Sequence, residues 1–339
     1  MKVSLHERTA PLKKPFTISR GTLTEQPVLI VKMEQDGNVG YGETTANDYY
    51  GHTLESIRQS IESVQPQIEQ LDIVQGDEVY NSVAAQLAGD MFALSALDIA
   101  CQDLAARRAG KTCFENWGLE WTGLPESSLT IGINDTPAMV ADLKENPGWN
   151  NYKVKLGTTR DIEIVSALRG ATDAKLRIDA NCAWTADETI EKSKQLADLG
   201  VEFIEQPLPP DAPRDDFKKV YEGSALPVIA DESCQIPAHV EPCGEVFHGI
   251  NVKLCKCGGL TPAVQMLKQA RQMGLKTMVG CMVETSIGIS AASQLLPLLN
   301  FADLDGAILL GNDPATGVKV ELGKVNLADS PGTGAVLRD

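Results

Sequence analysis

The chain has 339 residues, 43% hydrophobic and 22% charged, so it can bury one large core or a large and a smaller one. Its formal net charge of −16 and pI of about 4.7 disfavour nucleic acid and anionic membranes as partners. No apolar run approaches the roughly 20 residues of a membrane span, and the N-terminus lacks the apolar core of a secretory signal. Eight cysteines without a CxxC pair indicate reduced thiols. We therefore expect a cytoplasmic protein.

Residues 1–118 predict an α+β capping module. The first ~50 residues have strand patterning, and an apolar run followed by the turn Asp36-Gly37-Asn38 predicts a hairpin. The third helical segment ends at Gly110, a residue typical of a helix C-terminus. Three helices are predicted, over residues 54–71, 77–87 and 91–110.

From residue 119 to 317, short apolar runs alternate with helical segments. Strands that alternate with helices pair in parallel, and eight of them favour a closed TIM-like α/β barrel over an open sheet. No GxGxxG or P-loop sequence follows a strand, which disfavours a nucleotide-binding fold. We expect residues 318–339 to return to the capping module. The strand candidates are LTIGI, YKVKLG, KLRIDAN, FIEQP, PVIADES, GINVKLC, KTMVGCM and LDGAILL.

Five charged residues recur at the ends of consecutive predicted strands. They are separated by 24 to 26 residues, which is one strand–helix repeat each time, so they should meet at one height around the barrel mouth. In chain order they are Lys155, Asp179, Glu205, Asp231 and Lys256.

The three acids predict a metal site. Three carboxylates that converge cannot all stay ionised without a cation. Because Asp179, Glu205 and Asp231 are hard oxygen ligands with no His or Cys among them, they suit one Mg²⁺ better than Zn²⁺.

The two lysines flank this site and could approach a bound carbon from opposite faces. A lysine acts as a base only after it loses its proton, and a nearby cation favours that loss. Lys153 lies two residues before Lys155, on the same strand face, and Lys253 lies three residues before Lys256. We expect the strand to end before Lys256, where two glycines turn the chain.

At these residues the whole chain resembles the enolase superfamily, and in particular its muconate-lactonizing-enzyme subgroup. The resemblance rests on the KxK, DAN, EQP, DES and KxxKxGG motifs in this order and spacing. It implies a (β/α)₇β barrel with a capping domain, Mg²⁺ on the three acids, and Lys155 and Lys256 as acid/base residues. It also implies that the metal stabilises the ene-diolate formed when the α-proton of a carboxylate substrate leaves.

Two branches of the superfamily are disfavoured by the sequence. Sugar-acid dehydratases need a His on the seventh strand, and that strand reads KTMVGCMVET. Metal hydrolases need an HxH first strand, which here reads LTIGI. Three two-lysine chemistries remain: epimerisation, cycloisomerisation, and β-elimination as in o-succinylbenzoate synthase.

The eighth strand favours epimerisation. Asp303 and Asp305 in FADLDGA resemble the DxD of dipeptide epimerases, whose carboxylates receive the substrate α-ammonium group. Arg20 resembles the loop arginine that holds the glutamyl carboxylate in L-Ala-D/L-Glu epimerases. This similarity implies a Mg²⁺-dependent epimerase acting on L-Ala-D/L-Glu, a small dipeptide from peptidoglycan turnover, with Tyr49 and Tyr50 as a lid over it. Glu284, after the seventh strand, is predicted to have a supporting role, as is Lys253.

Other interpretations stay open at this point. An o-succinylbenzoate synthase or a muconate cycloisomerase would use the same lysines. A Schiff-base aldolase would form an imine on Lys155, trapped by borohydride and insensitive to chelators. A barrel used for binding alone has no positive signal in the sequence. Barrels of this family often form homo-oligomers, but the sequence shows no interface.

Overall fold

The structure, a computed structural model, describes residues 1–338. Its N-terminal part is a three-stranded antiparallel sheet followed by helices. The strands are β1 (Lys2–Ile18), β2 (Gly21–Gln35) and β3 (Asn38–Thr45). The helices are α1 (Leu54–Ile68), α2 (Glu78–Val83), α3 (Met91–Arg108) and α4 (Cys113–Asn116). The predicted hairpin and three helices are confirmed, although α1 and α2 end earlier than the sequence pattern suggested.

The β2–β3 hairpin follows from its turn residues. Asp36 and Gly37 have φ angles of 50° and 77°, which are the two left-handed conformations of a type I′ turn. This turn matches the right-handed twist of the flanking strands, so it sets their register and places Gln35 opposite Asn38.

Helix α3 joins the sheet to the barrel and is buried on all sides over residues 92–106. One side packs on β3 so closely that a Cβ on Gly42 would lie 2.0 Å from the backbone oxygen of Ala96. Only glycine permits this approach of strand to helix. Another side contacts the barrel segments that carry the predicted second lysine.

Eight parallel strands form the barrel, each next to its neighbour in the sequence. They are β4 (Leu129–Ile131), β5 (Asn151–Lys155), β6 (Lys175–Asp179), β7 (Val201–Glu205), β8 (Val228–Ala230), β9 (Gly249–Val252), β10 (Lys276–Val279) and β11 (Phe301–Ala302). A parallel bridge between Ser127 and Ala302 joins the first strand to the last. The Ser128 N–H also donates to the Ala302 oxygen at 3.1 Å, which closes the barrel.

Helical segments fill the seven connections between these strands, so the (β/α)₇β architecture is confirmed. They are α5 (Thr136–Glu145), α6 (Asp161–Arg169), α7 (Ala186–Asp198), α8 (Arg214–Gly223), α9 (Val240–Gly244), α10 (Leu254–Cys257), α11 (Leu260–Gln272) and α12 (Ser286–Ser293).

The predicted position of the eighth strand was wrong. The strand is Phe301–Ala302, and Gly306–Leu309 within the predicted LDGAILL strand is a 3₁₀ turn. The apolar side chains of Leu309 and Leu310 pack on β1 of the capping module and do not extend the sheet. An apolar run indicates burial, but it does not say against which partner.

The C-terminal segment contains four short strands: β12 (Ala315–Thr316), β13 (Lys319–Glu321), β14 (Lys324–Asn326) and β15 (Val336–Leu337). Near its end the chain contacts α3, where the Thr333 N–H donates to Asp103 Oδ1 at 2.6 Å. The division at residues 118 and 317 stays a prediction. Within residues 1–338, no helix has both the length and the apolar character needed to cross a bilayer.

Candidate active site

The register of the barrel strands brings the predicted residues together. Lys155, Asp179 and Glu205 are the last residues of β5, β6 and β7, and each pairs in register with the next. Glu205 lies opposite Ile229 on β8, so Asp231, two residues further along, has its side chain on the same face. The structure therefore places these four charged residues side by side at the carboxyl ends of the strands.

The three acids form a site that fits a magnesium ion. One oxygen from each of Asp179, Glu205 and Asp231 lies within 4.8 Å of the other two, and all three residues are buried. Glu205 Oε2 and Asp231 Oδ2 are buried, and their close partners are the ammonium groups of lysines. Converging buried carboxylates, in a set that contains only hard oxygen ligands, match the coordination preference of Mg²⁺.

Two further lysines lie against this triad. Lys153 Nζ is 2.8 Å from Glu205 Oε2 and 3.2 Å from Asp179 Oδ2, and Lys253 Nζ is 3.0 Å from Asp231 Oδ2. Burial opposes their charge, but the surrounding carboxylates outweigh it and raise the pKa of both lysines. Both side chains therefore carry a lasting positive charge.

Lys155 and Lys256 occupy the two flanks of the triad. Lys155 Nζ donates to Asp179 Oδ2 at 2.6 Å. Lys256 Nζ donates to the Asp231 backbone oxygen at 2.7 Å and also to its carboxylate. Because β5 to β9 are consecutive neighbours, the lysines reach the centre from opposite ends of the row of acids.

A helical turn after β9 positions Lys256. The turn α10 places Lys253 and Lys256 against the same carboxylate although they are three residues apart. The chain then reverses at Gly259, whose φ of 114° favours glycine. Asp98 of α3 accepts a hydrogen bond from the Thr261 N–H at 2.8 Å, so the capping module holds the start of α11.

The two acids that follow β11 line one cavity, in agreement with their spacing. Asp303 Oδ2 lies 2.9 Å from Lys153 Nζ, whereas Asp305 Oδ2 accepts the Thr130 N–H at 2.6 Å. Burial and the neighbouring Asp303 raise the pKa of Asp305 to about 7. Within residues 1–338, Asp305 has no cationic side chain within 4.0 Å, so it can accept an ammonium group from a ligand.

The capping module covers this cavity with Arg20 and two tyrosines. Arg20 Nη1 lies 2.8 Å from Glu232 Oε1, and the ring of Tyr49 covers its guanidinium with 4.2 Å to the ring centre. Tyr49 is exposed, whereas Tyr50 packs against Phe92 of α3. Both tyrosines line the cavity, as the lid prediction requires, and Arg20 already has an anionic partner.

The cavity has a volume of about 440 Å³ and lies between the barrel mouth and the β1–β2 hairpin. Lys153 and Lys256 lie beneath its surface, with 1% and 2% of their area exposed. A larger groove of about 650 Å³, between β1 and α5, contains none of the predicted catalytic or metal-binding residues. Of the predicted residues, those on the cavity surface are Arg20, Tyr49, Tyr50, Lys155, Lys253, Asp303 and Asp305.

Sequence reasoning missed two residues that orient the triad. Asn251 Nδ2 donates to Glu205 Oε1 at 2.8 Å, and Gln206 Oε1 accepts the Asp231 N–H at 2.9 Å. Asn251 could have been found from the sequence. It lies in strand β9, two residues before Lys253, so the two side chains share a face. Gln206 belongs to the EQP motif, but its contact with the next strand has no signal in the sequence.

Glu284 lies after β10 beside a second buried carboxyl group. Its Oε1 accepts the Met282 N–H at 2.8 Å. Glu43 of β3 accepts the backbone N–H groups of Thr285 and Gly288 at 2.8 and 3.0 Å, which caps α12. Burial and the nearby Glu284 raise the pKa of Glu43 to about 8, and burial raises the pKa of Glu284 to about 7. These two residues join the capping module to the barrel.

We expect Glu43→Gln to change the pH dependence of stability. Because folding raises the pKa of Glu43 from 4.5 to about 8, its stabilising effect is complete below pH 4.5 and is lost as the pH rises through 8. A pKa shift of this size contributes at most ~5 kcal/mol to the free energy of unfolding. At pH 5 the variant should have a lower melting temperature than the wild type, since glutamine offers one acceptor oxygen. By pH 9 the difference in melting temperature should disappear or change sign, because the wild type has lost the contribution of the protonated Glu43.

Melting temperatures measured from pH 5 to pH 9 test this expectation. Glu25→Gln, an exposed position on β2, is the matched control and should follow the wild-type curve. Parallel curves for Glu43→Gln and the wild type would contradict the role given to this carboxyl group.

Two family models cover most of the chain. The N-terminal domain of mandelate racemase / muconate lactonizing enzyme matches residues 1–116. The enolase C-terminal domain-like model matches residues 136–339. The chain therefore belongs to the enolase superfamily, in its muconate-lactonizing-enzyme subgroup.

Similar proteins in this family are dipeptide epimerases. The L-Ala-D/L-amino acid epimerase of Flavobacterium johnsoniae is 47% identical over 99% of this chain and 100% of its own length. The L-Ala-D/L-Glu epimerase of Bacteroides thetaiotaomicron is 39% identical over 99% of this chain and 88% of its own length. The structure of a dipeptide epimerase from Enterococcus faecalis V583 with Mg and L-Leu-L-Tyr has a TM-score of 0.93, at 31% identity over 98% of both chains.

Proposed function

We propose that this chain is a Mg²⁺-dependent dipeptide epimerase that inverts the α-carbon of the C-terminal residue. The observation that carries the proposal is the placement of Lys155 and Lys256 on the two flanks of a buried carboxylate triad. The epimerases of Flavobacterium johnsoniae and Bacteroides thetaiotaomicron are named for dipeptides that begin with L-Ala, which supports the same N-terminal residue here.

The two ends of the dipeptide meet groups of opposite charge. Its α-ammonium group binds at Asp303 and Asp305, the acids after β11. Its α-carboxylate points to the site formed by Asp179, Glu205 and Asp231. These three residues would hold a Mg²⁺ ion, which would supply positive charge to stabilise the substrate carboxylate during removal of the α-proton.

The two lysines move the proton. One lysine, as a neutral amine, takes the α-proton from one face of the carbon, and the other, as an ammonium group, donates its proton to the opposite face. Their roles exchange with the direction of the reaction. Lys153 and Lys253 remain charged throughout and hold the triad carboxylates in place.

The acids after β11 argue against the other two-lysine chemistries. An o-succinylbenzoate synthase or a muconate cycloisomerase binds a dianionic substrate, which Asp303 and Asp305 would repel. Both carboxylates line the cavity that such a substrate would fill.

Incubation with a dipeptide library in deuterium oxide tests the proposal. L-Ala-L-Xaa dipeptides should gain one deuterium at the C-terminal α-carbon and yield the L-Ala-D-Xaa epimer, scored by mass and chiral chromatography. If no dipeptide in the library gains deuterium in the presence of Mg²⁺, the proposal is wrong.

A further inference from the structure

We propose that Glu232 determines the charge preference of the site. By pairing with Arg20 it neutralises the arginine that lines the cavity, so an uncharged C-terminal residue is accepted about as well as glutamate. This inference rests on the proposed dipeptide epimerase function and names its substrate class. It replaces the expectation, drawn from Arg20 alone, that the site selects glutamate.

Arg20 is the cation that contacts Glu232 directly. The Glu232 side chain is 1% exposed, and Arg20 Nη1, at 2.8 Å from Oε1, is the one cation within 4.0 Å of it among residues 1–338. Both of its carboxylate oxygens are buried, and the described residues offer them no close donor apart from Arg20. If Arg20 turned away to bind a substrate carboxylate, the buried Glu232 carboxylate would lose its 2.8 Å contact with a cation, which is unfavourable.

Arg20 is held on more than one side. The ring of Tyr49 covers the guanidinium with 4.2 Å to the ring centre, and the Asn181 backbone oxygen accepts from Nη1 at 3.5 Å. Its side chain is 29% exposed, so one edge still faces the cavity. This edge offers N–H donors to a ligand, but the Arg20–Glu232 pair as a whole carries no net charge.

The remaining cations of the cavity wall are committed elsewhere. The other basic residues that line the cavity are Lys155 and Lys253. Lys253 pairs with Asp231, and Lys155 donates to Asp179 and serves in proton transfer. A glutamyl side chain therefore finds no uncompensated positive charge, and an isosteric glutaminyl side chain can use the same donors of Arg20.

L-Ala-L-Glu and L-Ala-L-Gln form a pair of substrates that differ in charge and hardly in shape. We expect the wild-type enzyme to prefer L-Ala-L-Glu in kcat/KM by less than tenfold. In Glu232→Gln, Arg20 regains its net positive charge, so the preference for L-Ala-L-Glu should rise by at least tenfold. The exposed Glu241→Gln, nine residues further along the chain, is the matched control and should keep the wild-type ratio.

Two results overturn the inference. One is a wild-type kcat/KM that favours L-Ala-L-Glu over L-Ala-L-Gln by more than tenfold. The other is a change of less than tenfold in this ratio in an active Glu232→Gln enzyme. If Glu232→Gln is inactive with both dipeptides, Arg20→Gln decides. Because the unpaired Glu232 then repels an acidic residue, the preference should fall by at least tenfold, and a smaller change overturns the inference. Failure of every dipeptide to gain deuterium would instead refute the epimerase function itself.

Discussion

Replacing either Lys155 or Lys256 by alanine should lower the rate of epimerisation by about 10³-fold or more, since general acid–base groups contribute ~10²–10⁴-fold each. Proton exchange should survive in part. The remaining lysine can still remove the α-proton from the epimer that faces it and return a deuteron to the same face. Each variant should therefore exchange one epimer without inverting it, and the two variants should exchange opposite epimers.

NMR of purified L-Ala-L-Ala and L-Ala-D-Ala in deuterium oxide measures exchange and inversion separately. Lys268→Ala is the matched control, because this exposed lysine lies on α11 and does not line the cavity. Two outcomes would refute the two-base mechanism. One is epimerisation within tenfold of the wild-type rate in either variant, and the other is exchange of the same epimer by both.

The catalytic centre could be predicted from sequence because its spacing reflects the repeat of the barrel. A strand–helix unit of 24 to 26 residues returns the chain to the same height, so Lys155, Asp179 and Glu205 end three neighbouring strands in register. Asp231 lies just beyond the end of the next strand, on the same face. No side-chain geometry was needed to place these residues together.

Contacts between distant parts of the chain could not be predicted in this way, because no repeat in the sequence marks them. Glu232 is visible in the DES motif, but nothing in the sequence shows that Arg20, on a hairpin of another module, neutralises it. Likewise Leu309 and Leu310 gave an apolar pattern that was interpreted as a barrel strand, whereas these residues pack on β1. A pattern of apolar residues shows which side chains are buried, and tertiary packing decides the partner.

Lys153 and Lys155 have different roles in the same site, although they are the same type of residue. The KxK spacing correctly placed Lys153 and Lys155 on one face of β5. Lys153 contacts three carboxylates, so it acts as a fixed counter-charge beneath the cavity. Lys155 reaches the cavity surface and contacts one carboxylate, which leaves it available for a substrate.

Removal of divalent cations should abolish epimerisation and lower the melting temperature. At a concentration 100 times its dissociation constant, a ligand stabilises the folded state by ~2.7 kcal/mol. For a domain of ~200 residues, each kcal/mol corresponds to about 2–4 °C, so Mg²⁺ added after EDTA treatment and dialysis should raise the melting temperature by ~5–10 °C. The physical reason is that the ion binds the folded state through Asp179, Glu205 and Asp231, whose oxygens lie within 4.8 Å of one another only when the barrel is folded.

Glu205→Gln separates metal binding from a general effect of magnesium on the protein. The substitution keeps the shape of the side chain but removes one ligand charge, so it should eliminate the Mg²⁺-dependent rise in melting temperature and lower kcat by about 100-fold or more. Glu222→Gln, exposed on α8, is the matched control and should keep both the thermal shift and the activity. If Glu205→Gln keeps the full thermal shift, the ion binds elsewhere. The carboxylate triad would then be a buried charge network neutralised by lysines alone, because Lys153, Lys155, Lys253 and Lys256 each contact one or more of its carboxylates.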